Sequence, residues 1–172
     1  MRYYIYFGQY EGISSISLSI RGLTRSDKSH TSIFWPDLQT VVEAAGGSVR
    51  ALNWDQGHTP TTKIFIYRIR CGRRQQEKFY QFVKDQIGKD YDHGGVASFI
   101  FAFLDEDPDK WFCSELFIAA CQYAGIKVLD IEPYECSPRD VQLIPRKEYV
   151  EARRVPGELP VHEEPGSPLG DT

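Results

Sequence analysis

No window of the 172-residue chain approaches the roughly 18 to 20 consecutive apolar residues that a bilayer-spanning helix requires. The opening stretch, MRYYIYFGQYEG, has no long apolar core and no small-residue cleavage site. A signal peptide is therefore not expected; cytoplasmic residence is the default, with delivery by a phage or a non-Sec secretion system as the other setting. A basic excess is also missing: 20 Lys and Arg stand against 24 Asp and Glu, for a net charge of -4. Phosphate backbones select basic surfaces, so no nucleic-acid partner is expected. Cysteine is sparse, at positions 71, 113, 121 and 136, with no CxxC pair. With no signal peptide expected, a reducing compartment and free thiols are expected. No internal repeat is present.

What the chain does have is aromatic content, 13%, with ten Tyr and ten Phe. Such a composition favours a packed core containing β-structure. Tyr3–Phe7, His30–Trp35, Gln39–Ala44, Ser48–Leu52 and the alternating KIFIYRIR of Lys63–Arg70 read as strands, with Gly46-Gly47 as a turn between two of them. Ile13–Leu23 fits a helix by its spacing of three and four. The second half is helical in pattern. Arg73–Ile87 carries Phe79, Phe82, Val83 and Ile87 on one face and stops at Gly88; Val96–Leu104 is an apolar segment; Phe112–Ala124 stops at Gly125. Ile126–Leu129 reads as a short strand, and Ser137–Ile144 as a helix entered through Ser-Pro. Sheet first and helices second is an α+β plan. Residues 1–155 are expected to form one domain. Residues 156–172, rich in Pro, Gly and Glu, are expected to form a flexible tail.

The chemistry centres on Cys113, predicted at a helix start. Free N–H groups and the positive end of the helix dipole favour a thiolate there, and the same amides can hold an oxyanion during acyl transfer. Cys71, Cys121 and Cys136 lack such a setting. A base for the thiol must be one of four histidines, His30, His58, His93 and His162. His162 falls in the tail and His58 in a Gly/Thr/Pro loop. His93 precedes Gly94-Gly95 and could approach the site, whereas His30 opens a strand and has a rigid platform. A third group should orient the imidazole. Glu43, in VVEA, is either an outward residue of a half-exposed strand or an inward partner of His30.

Four segments resemble, in order, those of permuted papain-like thiol hydrolases of the NlpC type. They are IRGLTRSDKSHTSIF (20–34), VVEAAGGSV (41–49), IGKDYDHGG (87–95) and WFCSELFIAACQYAGI (111–126), with SPRDV (137–141) following. The resemblance spans about residues 13–145. It implies Cys113 as nucleophile, His30 as base and Glu43 as the third catalytic residue, with Tyr91 beside the nucleophile and the amide of Ser114 or Cys113 as oxyanion donor. It implies a papain-like fold with an antiparallel sheet packed against the Cys-bearing helix, no cofactor and no metal. It also implies amide or ester substrates in cell-wall peptides or N-acyl lipids and amino acids. The segments 53–62 and 105–110 have no counterpart in it. A non-catalytic binding module on the same fold is the alternative. A metal site using Cys113, His30 and His93 is a third reading, one without any usual local ligand spacing.

Overall fold

The structure, a computed structural model, describes residues 2–12, 17–18, 21–22, 25–45, 48–91, 110–111 and 113–157. The expected helix at 96–104, His93 and the tail beyond 157 lie outside these residues. Of the expected helix at 13–23, residues 17, 18, 21 and 22 are described, and all four are helical.

Eight strands form one sheet: β1 (Tyr3–Glu11), β2 (His30–Phe34), β3 (Thr40–Ala45), β4 (Ser48–Asn53), β5 (Lys63–Cys71), β6 (Asp90–Tyr91), β7 (Lys110–Trp111) and β8 (Glu148–Arg154). Their order across the sheet is β7-β6-β4-β3-β2-β1-β5-β8, and every pairing is antiparallel except β6 with β7. The helices are α1 (Arg73–Gln86), α2 (Cys113–Tyr123) and α3 (Pro138–Gln142), with a single 3-10 turn at Pro133–Glu135.

β1 organises the sheet because its sequence is apolar or aromatic on both faces. Ile5 and Phe7 point into a core shared with α1 and α2, where the Phe7 ring lies 4.6 Å from that of Phe117. Tyr10 points the other way, into a second cluster with Phe34, Val41, Ile64, Ile66 and Val155. Burial on both faces explains why β1 carries large apolar or aromatic residues at both odd and even positions. Gly8 is required within β1, since a Cβ there would sit 2.6 Å from the Phe34 ring.

The helices end as their sequences predict. Gly88 and Gly125 take φ of +93° and +67°, which L side chains rarely adopt. α3 starts in a capping box in which the Ser137 N–H donates to Asp140 Oδ2 at 2.9 Å and the Asp140 N–H to Ser137 Oγ at 3.3 Å.

One expectation for a single segment fails. Ile126–Leu129 is irregular, because the Ile126 N–H bonds back to Cys121 O and Ile126 is buried as the chain leaves the helix. Glu148–Arg154, for which no element is expected from the sequence, forms the edge strand β8, where charged residues on a solvent-facing edge are ordinary.

The papain-like fold of NlpC type is also corrected. The organising layer is a mostly antiparallel sheet with few helices, and α2, which carries Cys113, packs on one of its two faces. The physical reason is the second apolar cluster, which buries the sheet on the face away from the helices as well.

Candidate functional site

Strand alternation builds the site. β3 places Val42 and Ala44 in the core with α2, so Glu43, between them, faces the opposite way and is fully buried. Pairing of β3 with β4 sets Glu43 directly across from Arg50, whose Nε and NH2 donate to Glu43 Oε1 at 3.2 and 2.8 Å. The other carboxylate oxygen, Oε2, lies 2.8 Å from His30 Nε2 and 2.8 Å from His58 Nε2. Tyr10, the cross-strand partner of His30, packs its ring 5.1 Å from the His30 ring and 4.4 Å from the His58 ring. Its hydroxyl is tied to Ser32 Oγ at 2.7 Å.

His30 is the first residue of β2 and Cys113 the first of α2, and the two starts meet. The His30 ring hydrogen-bonds Glu43, and the Cys113 side chain lies close enough to act on the charge of the imidazole. With Nε2 taken by Glu43, Nδ1 is the nitrogen available to sulfur. Burial works against a charged His30, but the Cys113 and Glu43 side chains outweigh it and push the imidazole up to about 10. Burial likewise opposes ionised Glu43; His30, and after it His58, hold the carboxyl well below its usual range. Burial pushes the thiols of Cys71, Cys121 and Cys136 up, which keeps them protonated and inert.

Of the residues singled out in the sequence, Cys113, His30 and Glu43 are brought together. The Ser114 hydroxyl donates to Cys136 O, so this side chain ties α2 to the segment before α3, and only its backbone amide is left for an oxyanion. Tyr91 pairs in register with Trp111, two residues before Cys113; its side chain is outside the described residues. His93, offered as a metal ligand with Cys113 and His30, is outside them too.

Three members of the site were not anticipated: Arg50, His58 and Tyr10. Arg50 was legible, since counting outward from the Gly46-Gly47 turn pairs it with Glu43. His58 was not. It arrives on the 53–62 loop, where Gly57, at φ +77° and with its Cα side 2.7 Å from Arg50 NH2 were a Cβ present, lets the chain fold back. His30, Glu43 and His58 are also, among the described residues, a group whose ligand atoms all lie within 4.8 Å of one another.

No family model matches the chain, and no curated protein matches it. Among solved structures it is similar to the crystal structure of metalloprotein YiiX, DUF1105, from Escherichia coli O157:H7. The two share 23% identity with a TM-score of 0.64, over 87% of this chain and 97% of that one. The likeness is one of fold. It replaces the resemblance to NlpC-type hydrolases, which no comparison supports. No helix among the described residues is long and apolar enough to cross a membrane.

Proposed function

We propose that the protein is a thiol-dependent acyl hydrolase acting on an amide or ester carbonyl. The observation that carries the reading is the buried grouping of Cys113, His30 and Glu43, with Glu43 Oε2 at 2.8 Å from His30 Nε2 and the Cys113 side chain close enough to raise the imidazole. A carboxylate on Nε2 fixes that nitrogen as a donor and directs Nδ1 to sulfur. The raised imidazole favours a thiolate–imidazolium pair, the form in which cysteine is nucleophilic.

In the first half-reaction the Cys113 sulfur attacks the carbonyl carbon. The C–N or C–O bond breaks and His30 gives its proton to the departing nitrogen or oxygen, leaving a thioester. In the second, water attacks the thioester, His30 takes its proton, and sulfur leaves as thiolate. Backbone amides in the first turn of α2, which lack an intrahelical acceptor, are the donors for the oxyanion. Arg50, by donating twice to Oε1, keeps the Glu43 carboxylate oriented.

The test is alkylation of metal-free protein by iodoacetamide, read by mass at each cysteine. Cys113 is expected to react fastest, and His30→Ala to slow it by about a hundredfold. Cys71, Cys121 and Cys136 serve as internal controls. Equal, slow labelling of Cys113 in both proteins would instead favour a non-catalytic binding module.

A further inference from the structure

We infer that His30 Nε2, His58 Nε2 and Glu43 Oε2 form a binding site for a divalent transition ion of the zinc type, and that filling it blocks Cys113 chemistry. The second half of this inference rests on the acyl-transfer reading; the first does not.

The orientation of a catalytic histidine needs one bond to Glu43, and His30 makes it. His58 adds a second imidazole to the same oxygen, at the same 2.8 Å. Glu43 has no need of that bond for satisfaction, because Arg50 already donates twice to Oε1. What the loop achieves by delivering His58 is convergence: two imidazole nitrogens and one carboxylate oxygen, all within 4.8 Å of each other. Two imidazoles and a carboxylate with a fourth position open is a donor set suited to zinc. Imidazole-rich sets prefer zinc, copper, nickel or iron to magnesium or calcium.

The geometry needs little adjustment. Bonds of about 2.0 to 2.1 Å in a tetrahedral site separate ligand atoms by about 3.4 Å. Each nitrogen must therefore draw back from Oε2 by about 0.6 Å, which replaces a hydrogen bond with a shared ion. The 53–62 loop can supply that movement for His58. Arg50 on Oε1 supports the carboxylate from behind and leaves Oε2 to the ion. The two imidazoles each keep 14% of their surface exposed while Glu43 keeps none, so the open coordination position faces solvent. The Arg50 charge opposes a second cation nearby, so affinity is set by the three donors rather than by local charge.

The consequence for sulfur follows from counting protons on one ring. A neutral imidazole carries a single N–H. An ion on His30 Nε2 leaves that proton on Nδ1, the one remaining ring nitrogen, so His30 cannot take a proton from thiol or water. The ion also displaces Glu43 from the bond that orients the ring. Occupancy and turnover are then mutually exclusive.

The experiment titrates EDTA-stripped full-length protein with Co2+ and follows visible d–d absorption, with Zn2+ as competitor. One Co2+ per chain is expected, with a four-coordinate spectrum and no near-ultraviolet thiolate charge-transfer band. His58→Ala and His58→Gln, the latter able to keep a bond to Glu43, should weaken Co2+ binding roughly tenfold or more with melting temperature retained. Cys113→Ala should bind as wild type. A thiolate band, loss of binding in Cys113→Ala, or undiminished binding in both His58 variants would overturn the site. In parallel, Zn2+ should abolish Cys113-dependent hydrolysis of p-nitrophenyl acetate, and EDTA should restore it. Turnover that persists at saturating Zn2+ would overturn the block. Absence of Cys113-dependent turnover in metal-free protein would count against the acyl-transfer reading alone, with the Co2+ titration still deciding the site.

Discussion

Glu43 accepts hydrogen bonds from His30, from His58 and twice from Arg50, with no surface exposed to water. A buried carboxylate without such partners would be protonated; burial opposes the charge, and the bonds from His30 and then His58 hold the carboxyl well below its usual range. Glu43→Gln keeps the shape and removes the charge. The variant is expected to fold, since the amide oxygen can still accept one bond, yet to slow Cys113 alkylation by about tenfold to a hundredfold. Circular dichroism together with mass-resolved labelling checks both halves. Neither the twofold use of Oε2 nor the role of Arg50 is visible in the motif VVEA, where a flanked Glu is equally compatible with an exposed position. Burial decided it.

At the scale of elements, the 53–62 loop is where the sequence was least informative and where the site gains most. Gly57 sits at φ +77°, and a Cβ there would stand 2.7 Å from Arg50 NH2 and 3.2 Å from Leu52 Cδ1. Gly57→Ala is therefore expected to destabilise the protein by about 1 to 2 kcal/mol and to raise exchange of the loop amides. Urea denaturation with hydrogen exchange reads both; an unchanged midpoint would mean the loop relaxes at no cost. The opposite case is α3, whose start was legible because Ser-Pro-Arg-Asp carries a cap, a first-turn proline and a capping-box acid within four residues. Ser137→Ala should cost about 1 kcal/mol, read as a shift in the urea midpoint. Local chemistry of this kind is readable because its partners are three residues apart; the partners of His58 are fifteen and more residues away.

At the scale of the whole molecule, one sheet carries a core on each face, and α2 joins the larger core through Phe117, which meets Phe7 at 4.6 Å and Phe79 at 6.1 Å. Phe117→Ala is expected to cost about 3 to 5 kcal/mol in global stability, since the ring is fully buried and its cavity cannot collapse onto rigid strands. The helix start that holds Cys113 would lose its seat with it. Electrostatics act on the same scale at the far end of β1. There the Lys28 ammonium, buried over the Phe65 ring, pairs with Glu11 at 2.5 Å and Asp27 at 3.0 Å. Although burial works against it, Lys28 holds the Asp27 carboxyl below its usual value. A depressed carboxylate contributes stability above its unfolded pKa and loses it as pH falls through the folded one. Asp27→Asn should flatten the acid limb of the stability profile, measured as urea midpoints from neutral pH down to about pH 3. A parallel shift at every pH would refute that origin.

The sequence by itself determined the strands from Tyr3 to Cys71, the helix over Arg73–Gln86, the helix opening at Cys113 and the glycines that end them. Each of these rests on periodicity and turn chemistry within a few residues. It also singled out Cys113, His30 and Glu43 as residue types able to work together. Only the tertiary structure decided that the sheet is buried on both faces, that β8 closes its edge, and that Arg50 and His58 share Glu43 with His30. Those outcomes depend on pairing across dozens of residues, where the energy lies in contacts that no local pattern encodes.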